Sequence, residues 1–140
     1  GQAQPGAAGR RALATGEALE HAFGIGGGNA GKPAVERLWM RTRDGRPLDE
    51  ARLCFLLDAL YPPAFTVLPQ PLGGASVDLR YDILTDPTPE LAPDGWAFFE
   101  FRMLDLGLGW TVDEAIAWGA DGTPLALSRQ RRKLLPQRPA

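Results

Sequence analysis

Residues 48–63 read Leu48-Asp-Glu-Ala-Arg-Leu-Cys-Phe-Leu-Leu-Asp58-Ala-Leu-Tyr-Pro-Pro63. The segment predicts a helix that begins near Asp49, a preferred N-cap residue, and ends before the two prolines, which cannot continue it. Its apolar residues leave little room for a solvated face, so we expect other elements to cover the helix on most sides. Asp58 lies among them. Because a buried carboxylate needs partners, Asp58 either has a functional role or reaches water and caps a nearby turn.

Length, composition and charge limit the class of protein. A chain of 140 residues with 44% hydrophobic residues is the size of one domain and can bury a core. The net charge of −2 gives no general attraction to nucleic acid or to anionic membranes. No apolar run approaches the roughly 20 residues that span a bilayer, and the one cysteine allows no internal disulfide. We therefore expect a cytoplasmic protein that has no membrane span and no nucleic-acid partner.

The chain divides into three parts by composition. Residues 1–18 are rich in Gly and Ala and predict a flexible arm, residues 19–136 a single domain, and residues 137–140 a tail. Within the domain, residues 20–25 are a weak strand candidate. Residues 34–42 alternate in polarity and are a better one.

Four more strand candidates follow a loop rich in proline and glycine. They cover residues 76–84, 96–104, 110–118 and 124 to about 135, and turn residues separate them. Strands this close in sequence favour antiparallel pairing. A helix that is apolar on most sides is best covered by a curved sheet. The prediction is therefore an α+β protein in which an antiparallel sheet wraps around one central apolar helix, the hotdog fold.

An ordered set of short segments between about residues 34 and 135 resembles a known family. The segments are Trp39-Met-Arg41, Asp44-Gly45-Arg-Pro-Leu48, Phe55-Leu-Leu-Asp58-Ala, Pro62-Pro63, Ser76-Val-Asp-Leu79, Trp96, Gly107-Leu-Gly109, Asp121-Gly122 and Ser128-Arg-Gln130. In this order they resemble the acyl-CoA thioesterase II-like family, and in particular the C-terminal of its two tandem hotdog repeats.

The resemblance implies an activity and a site. The activity is hydrolysis of an acyl-CoA thioester to a free acid and CoA, without a cofactor. By motif, the family's aspartate at the end of the central helix corresponds to Asp58, its Ser or Thr at the next strand to Ser76, and its glutamine in the last strand to Gln130. These three would together hold the attacking water, with Asp58 as the proton acceptor.

Two departures from the family pattern affect this interpretation. The family carries two hotdog repeats, whereas this chain has room for one. The bacterial medium-chain branch often has a histidine after the strand aspartate, where Leu79 follows Asp78 here. We therefore expect a second hotdog unit as partner, either another copy of this chain or a partner chain, unless the sequence is a fragment.

The alternation of residues along the strands makes two further predictions. Ser76 shares parity with Asp78 rather than with Val77 and Leu79, so it faces away from the helix unless a bulge near residues 73–75 turns it inward. In the last strand, Gln130 shares its face with two small residues, Ala126 and Ser128. That face fits an inner position.

The C-terminal strand carries the main cluster of basic residues: Arg129, Arg131, Arg132, Lys133 and Arg138. One interpretation is that they bind the phosphates of CoA, with Arg129, Arg131, Arg132 and Tyr61 as substrate contacts. The other is a solvated edge strand whose charges discourage aggregation.

Two other functions stay open at this stage. The first is a non-catalytic hotdog unit that binds acyl or CoA ligands or completes a larger thioesterase. The second is a hydratase or dehydratase, which would need the one histidine, His21, beside a carboxylate. Cys54 has no electropositive neighbours in sequence and is interpreted as a packing residue, and one His with one Cys makes a zinc site improbable.

Overall fold

The structure is a computed structural model that describes residues 34–66, 68 and 73–135. The predicted arm at residues 1–18, the strand candidate at 20–25 with His21, and the tail at 137–140 lie outside these residues. Within the described ranges, no helix is long and apolar enough to cross a membrane.

In the described part of the chain, five strands form one antiparallel sheet in the order β1-β3-β4-β5-β2. The strands are β1 (Val35–Met40), β2 (Gly73–Ile83), β3 (Ala97–Gly107), β4 (Trp110–Trp118) and β5 (Pro124–Leu135). The predicted bounds of β4 and β5 agree with the structure, and those of the other strands differ by one to three residues at an end. The α+β class is confirmed.

The helix, α1, covers Glu50–Leu57 and is shorter than its apolar sequence predicts. It begins where expected, because the carboxylate of Asp49 accepts a hydrogen bond from the backbone N–H of Arg52 at 2.8 Å. It ends four residues before Tyr61. The ring of Pro62 would clash with the carbonyl of Asp58 in a continued helix and offers it no N–H. Asp58 is therefore the C-cap residue.

One face of α1 packs against the sheet, and the other is open to solvent. Leu53, Leu56 and Leu57 are buried against the inner face of the sheet. Phe55, in contrast, is 65% exposed. The prediction that the helix has almost no solvated face is therefore wrong for the described residues, because the sheet covers only the leucine side.

The inner face of β4 carries small and polar residues rather than the large apolar ones. Thr111, Asp113, Ala115 and Ala117 are buried there. The alternate residues Trp110, Val112, Ile116 and Trp118 share the outer face, as their spacing indicates, and are only half-buried. The small inner residues leave room beside the helix for Phe99 and Phe101 of β3, whose rings stack at 6.1 Å.

A bulge in β2 changes which side chains face the helix. The pairing with β5 shifts between Ser76 and Asp78, so that Val77 is an extra residue in the strand. Val77 is 61% exposed, whereas Tyr81 and Ile83 pack against the core. The predicted apolar face of this strand is thus correct beyond the bulge and wrong at Val77. Before the bulge the parity reverses, and Ser76 lies on the inner side.

Candidate active site

Polar residues from three neighbouring strands meet on the inner face of the sheet because they are cross-strand neighbours. Arg132 of β5 lies directly opposite Thr111 of β4 and Ser76 of β2. Two residues earlier in β5, on the same face, Gln130 lies opposite Asp113 of β4. Directly opposed residues have Cβ atoms about 5 Å apart, so their side chains can contact each other. The strand register alone therefore assembles a polar cluster.

Gln130 contacts one of the two other predicted catalytic residues, Ser76. Its Nε2 donates a hydrogen bond to the Oγ of Ser76, and its Oε1 accepts one from Arg132. The residue is only 4% exposed. The bulge in β2 thus brings Ser76 to Gln130. It lies at Val77, not near residues 73–75 where the sequence analysis considers one.

Arg132 is at the centre of the cluster. Its side chain is 13% exposed, and its Nε donates to the Oδ2 of Asp113 at 2.9 Å. A terminal nitrogen of the same guanidinium donates to Gln130 and lies 3.8 Å from the Oδ1 of Asp58. Arg132 is therefore the group that links Asp58 to the pair formed by Ser76 and Gln130.

Asp113 is the buried carboxylate of this cluster. Its side chain is 8% exposed, and its Oδ1 accepts a hydrogen bond from the hydroxyl of Thr111 at 3.0 Å. Burial raises the pKa of Asp113 above its ordinary value, although hydrogen bonds from Arg132 and Thr111 oppose the shift. The sequence analysis missed Asp113 and Thr111. The signal that could have found them is two polar residues alternating with large apolar ones in β4.

Asp58 differs from its prediction. The sequence predicts that it is surrounded by apolar side chains, but its side chain is 42% exposed. It lies at the open end of α1, where the chain turns toward Pro62. The alternative in which Asp58 reaches water at the helix end fits this exposure better. Its proximity to Arg132 nonetheless keeps it at the edge of the polar cluster.

A small cleft, partly open to solvent, adjoins the cluster. Asp113, Ser128, Gln130 and Arg132 form its polar side. Apolar and aromatic residues of the helix end and of β3 form the other, namely Leu57, Leu60, Tyr61, Pro63 and Phe101. Such a mixed lining suits a ligand with an apolar part and a polar reacting group.

The predicted basic cluster is divided between the two faces of β5. Arg132 lines the cleft, as does Tyr61 from beyond the helix. Arg129 and Arg131 are exposed on the outer face, where Arg131 lies 4.3 Å from the centre of the Trp110 ring. Since β5 pairs with both β4 and β2, the interpretation of this segment as an edge strand is wrong. Arg138 lies outside the described residues.

Among the described residues, no group of three or more His, Cys, Asp or Glu side chains could hold a metal ion. Cys54 of α1 is half-buried. Burial raises the pKa of its thiol, with a smaller contribution from Glu50. An activated cysteine shows the opposite shift.

Comparison with known proteins gives the family. The chain belongs to the acyl-CoA thioesterase C-terminal domain family, whose model matches residues 2–131. None of the curated proteins matches it. The resemblance inferred from the sequence is thereby confirmed.

Solved structures confirm the hotdog fold. A protein of unknown function with a hot dog fold from Alicyclobacillus acidocaldarius is 25% identical over 77% of this chain and 40% of its own, with a TM-score of 0.65. A thioesterase family protein from Silicibacter pomeroyi is 18% identical over 76% and 81%, with a TM-score of 0.60. The tesB protein of Mycobacterium avium subs paratuberculosis is 17% identical over 73% and 42%, with a TM-score of 0.60. The chain thus spans about two fifths of the length of the first and the third.

Proposed function

We propose that this chain hydrolyses acyl-CoA thioesters to a free acid and CoA, with Asp58, Ser76 and Gln130 as the catalytic residues. Gln130 lines the cleft, and the contacts of Gln130 and Arg132 connect Ser76 and Asp58 to it. The observation that carries the proposal is the hydrogen bond between Gln130 and Ser76, in a cluster whose arginine lies 3.8 Å from Asp58. Membership of the acyl-CoA thioesterase C-terminal domain family supports the same reaction.

In the proposed reaction, Asp58 accepts a proton from a water molecule while the water oxygen attacks the thioester carbonyl carbon. The carbonyl becomes an oxyanion, which Ser76 stabilises by donating its hydroxyl hydrogen. When the intermediate collapses, the carbon–sulfur bond breaks, and the CoA sulfur leaves and takes up the proton that Asp58 accepted from the water. Asp58 suits the role of base because its carboxylate is 42% exposed and can take a proton from a water molecule at the edge of the cluster.

The test uses the chain as it is, a panel of acyl-CoAs of different chain length, and release of free thiol as the readout. Asp58→Asn should lower kcat by about 10²–10⁴-fold, the usual contribution of a general base. Asp49→Asn is the matched control, because Asp49 is also a helix-end aspartate and asparagine caps a helix equally well. Full hydrolysis by Asp58→Asn would show that the assignment of the base is wrong.

A non-catalytic hotdog unit is the second candidate function. The observation that favours it is length, since the chain covers only 40% of the Alicyclobacillus protein and 42% of the Mycobacterium protein. This candidate predicts that CoA or a fatty acid raises the melting temperature while no thiol is released from any acyl-CoA.

A second hotdog unit is the proposed partner in either case. Both outer strands, β1 and β2, have a free edge among the described residues, and Val77 of β2 exposes apolar surface. Edges of this kind are stabilised when another unit pairs with them. Sedimentation of the purified chain should therefore give at least twice the mass of one chain.

A cytoplasmic location, and the contacts of Arg129, Arg131, Arg132 and Tyr61 with CoA, stay predictions.

A further inference from the structure

Arg132 makes more contacts within the polar cluster than a cation that only compensates a charge would need. It contacts side chains from β4 and β5 and approaches the end of the helix, through Asp113, Gln130 and Asp58 respectively. The planar guanidinium can hold several acceptors at fixed angles, whereas a lysine ammonium is a single point of charge. The contacts are also directional, because an arginine can only donate hydrogen bonds.

This one-way character fixes the orientation of the Gln130 amide. The atom of Gln130 that faces Arg132 must be the acceptor, Oε1, so the donor Nε2 is turned toward the Oγ of Ser76. Ser76 then uses one lone pair to accept this bond, and its hydroxyl hydrogen remains available to be donated onward. The result is a series of hydrogen bonds in which Arg132 donates to Gln130 and Gln130 donates to Ser76.

Asp113 holds Arg132, the first donor of this series, in place. One oxygen of Asp113 accepts a hydrogen bond from the Nε of Arg132, and the other accepts one from the hydroxyl of Thr111, which is fully buried. Arg132 is thereby fixed from β4 on one side while it presents its terminal nitrogens to Gln130 and Asp58. At the buried end of this series, where Asp113 and Gln130 are shielded from water, such polarisation strengthens each hydrogen bond.

We propose that Arg132 is a positioning residue that locks the amide of Gln130 so that the Ser76 hydroxyl donates to the thioester oxyanion. The inference rests on the proposed function for its catalytic part, and on the structure alone for the orientation of Gln130. It differs from the interpretation of Arg132 as a phosphate contact, which would affect substrate binding rather than the chemical step.

The experiment compares variants of Arg132 by three readouts: kcat and KM for an acyl-CoA, the melting temperature, and the NMR signals of the Gln130 side-chain amide. Arg132→Met should lower kcat by about 100-fold, the effect of a small misplacement in an active site, with a lesser change in KM. The two amide protons of Gln130 should exchange with solvent faster than in the wild-type chain. Absence of their signals in Gln130→Glu gives their assignment.

Two further variants separate positioning from charge compensation. Asp113→Asn combined with Arg132→Met removes both charges, so the melting temperature should recover while kcat stays low. Arg132→Lys can still pair with Asp113, so it should restore stability but not the protection of the Gln130 amide. Arg80→Gln is the matched control, because Arg80 is an exposed arginine of β2 that pairs with Asp82.

Recovery of kcat in the double variant would overturn the proposal, since Arg132 would then serve only to neutralise Asp113. A large rise in KM with kcat unchanged would overturn it in favour of a phosphate contact. If the wild-type chain hydrolyses no thioester, the proposed function fails, and the amide signals still decide the positioning role. Slow exchange of the Gln130 amide in Arg132→Met would then overturn the positioning role of Arg132.

Discussion

An arginine with two neighbouring carboxylates lies at each end of helix α1. The two groups differ in burial and in the direction in which a carboxylate pKa is shifted. At the N-terminal end, Arg52 pairs with Asp49 and with Asp44, and the two carboxylates are about half exposed. We call these three residues the cap cluster. Hydrogen bonds, more than the charge of Arg52, lower the pKa of Asp44 to about 2, and the bond from the Thr42 hydroxyl contributes most.

At the C-terminal end, Arg132 lies between Asp58 and Asp113. With Gln130 and Ser76 they form the polar cluster of the candidate active site. Here Asp113 and Arg132 are 8% and 13% exposed, and desolvation raises the pKa of Asp113 in spite of its hydrogen-bonded arginine. The same residue types therefore give opposite shifts at the two ends of one helix. Burial decides the direction for Asp113, because water is excluded from its carboxylate, whereas hydrogen bonds decide it for the solvated carboxylates of Asp44 and Asp49.

The largest expected difference between the two ends is in the free energy of unfolding. Arg132→Met should destabilise the chain by about 3–5 kcal/mol at neutral pH, because Asp113 must then either stay charged without a partner or take up a proton. Arg52→Met should have a much smaller effect, since Asp44 and Asp49 remain solvated. Urea unfolding of the two variants measures this, and equal losses would contradict the comparison.

The next prediction concerns the pH dependence of stability due to Asp113. Because its folded pKa is raised above the ordinary 3.8, the folded chain keeps a proton that the unfolded chain releases between the two pKa values. The contribution of Asp113 to stability therefore falls as the pH rises from 3.8 through the folded pKa. Asp113→Asn should remove this fall. The free energies of unfolding of wild type and variant, measured from pH 3 to 8, give the difference. A difference that is constant with pH would contradict the raised pKa.

The smallest effect, with the opposite sign, is expected from Asp44 in the cap cluster. Its folded pKa of about 2 lies below the ordinary 3.8, so its contribution is present above pH 3.8 and is lost as the pH falls toward 2. Asp44→Asn should reduce the acid sensitivity of the melting temperature in that range only. Thr42→Val removes the main hydrogen bond to Asp44 and should act in the same direction.

The sequence determined the outline of the fold and the residues of the proposed site. Alternation placed β4 and β5, Asp49 and the two prolines bounded the helix, and the ordered motifs indicated Asp58, Ser76 and Gln130. These features depend on local chemistry, namely capping, proline geometry and side-chain period, which neighbouring residues determine.

Only the tertiary structure decided which carboxylate is buried and how the site residues are connected. The bulge at Val77 brings Ser76 inward, and the register of three strands places Thr111, Asp113 and Arg132 beside Gln130. The sequence draws attention to Asp58 and not to Asp113, yet Asp113 is the buried carboxylate. Asp58 is exposed because it ends the helix at the open side, and Asp113 is buried because it lies on the inner face of the sheet. Which strands pair across long sequence separations, and with which register, is decided when the whole sheet packs.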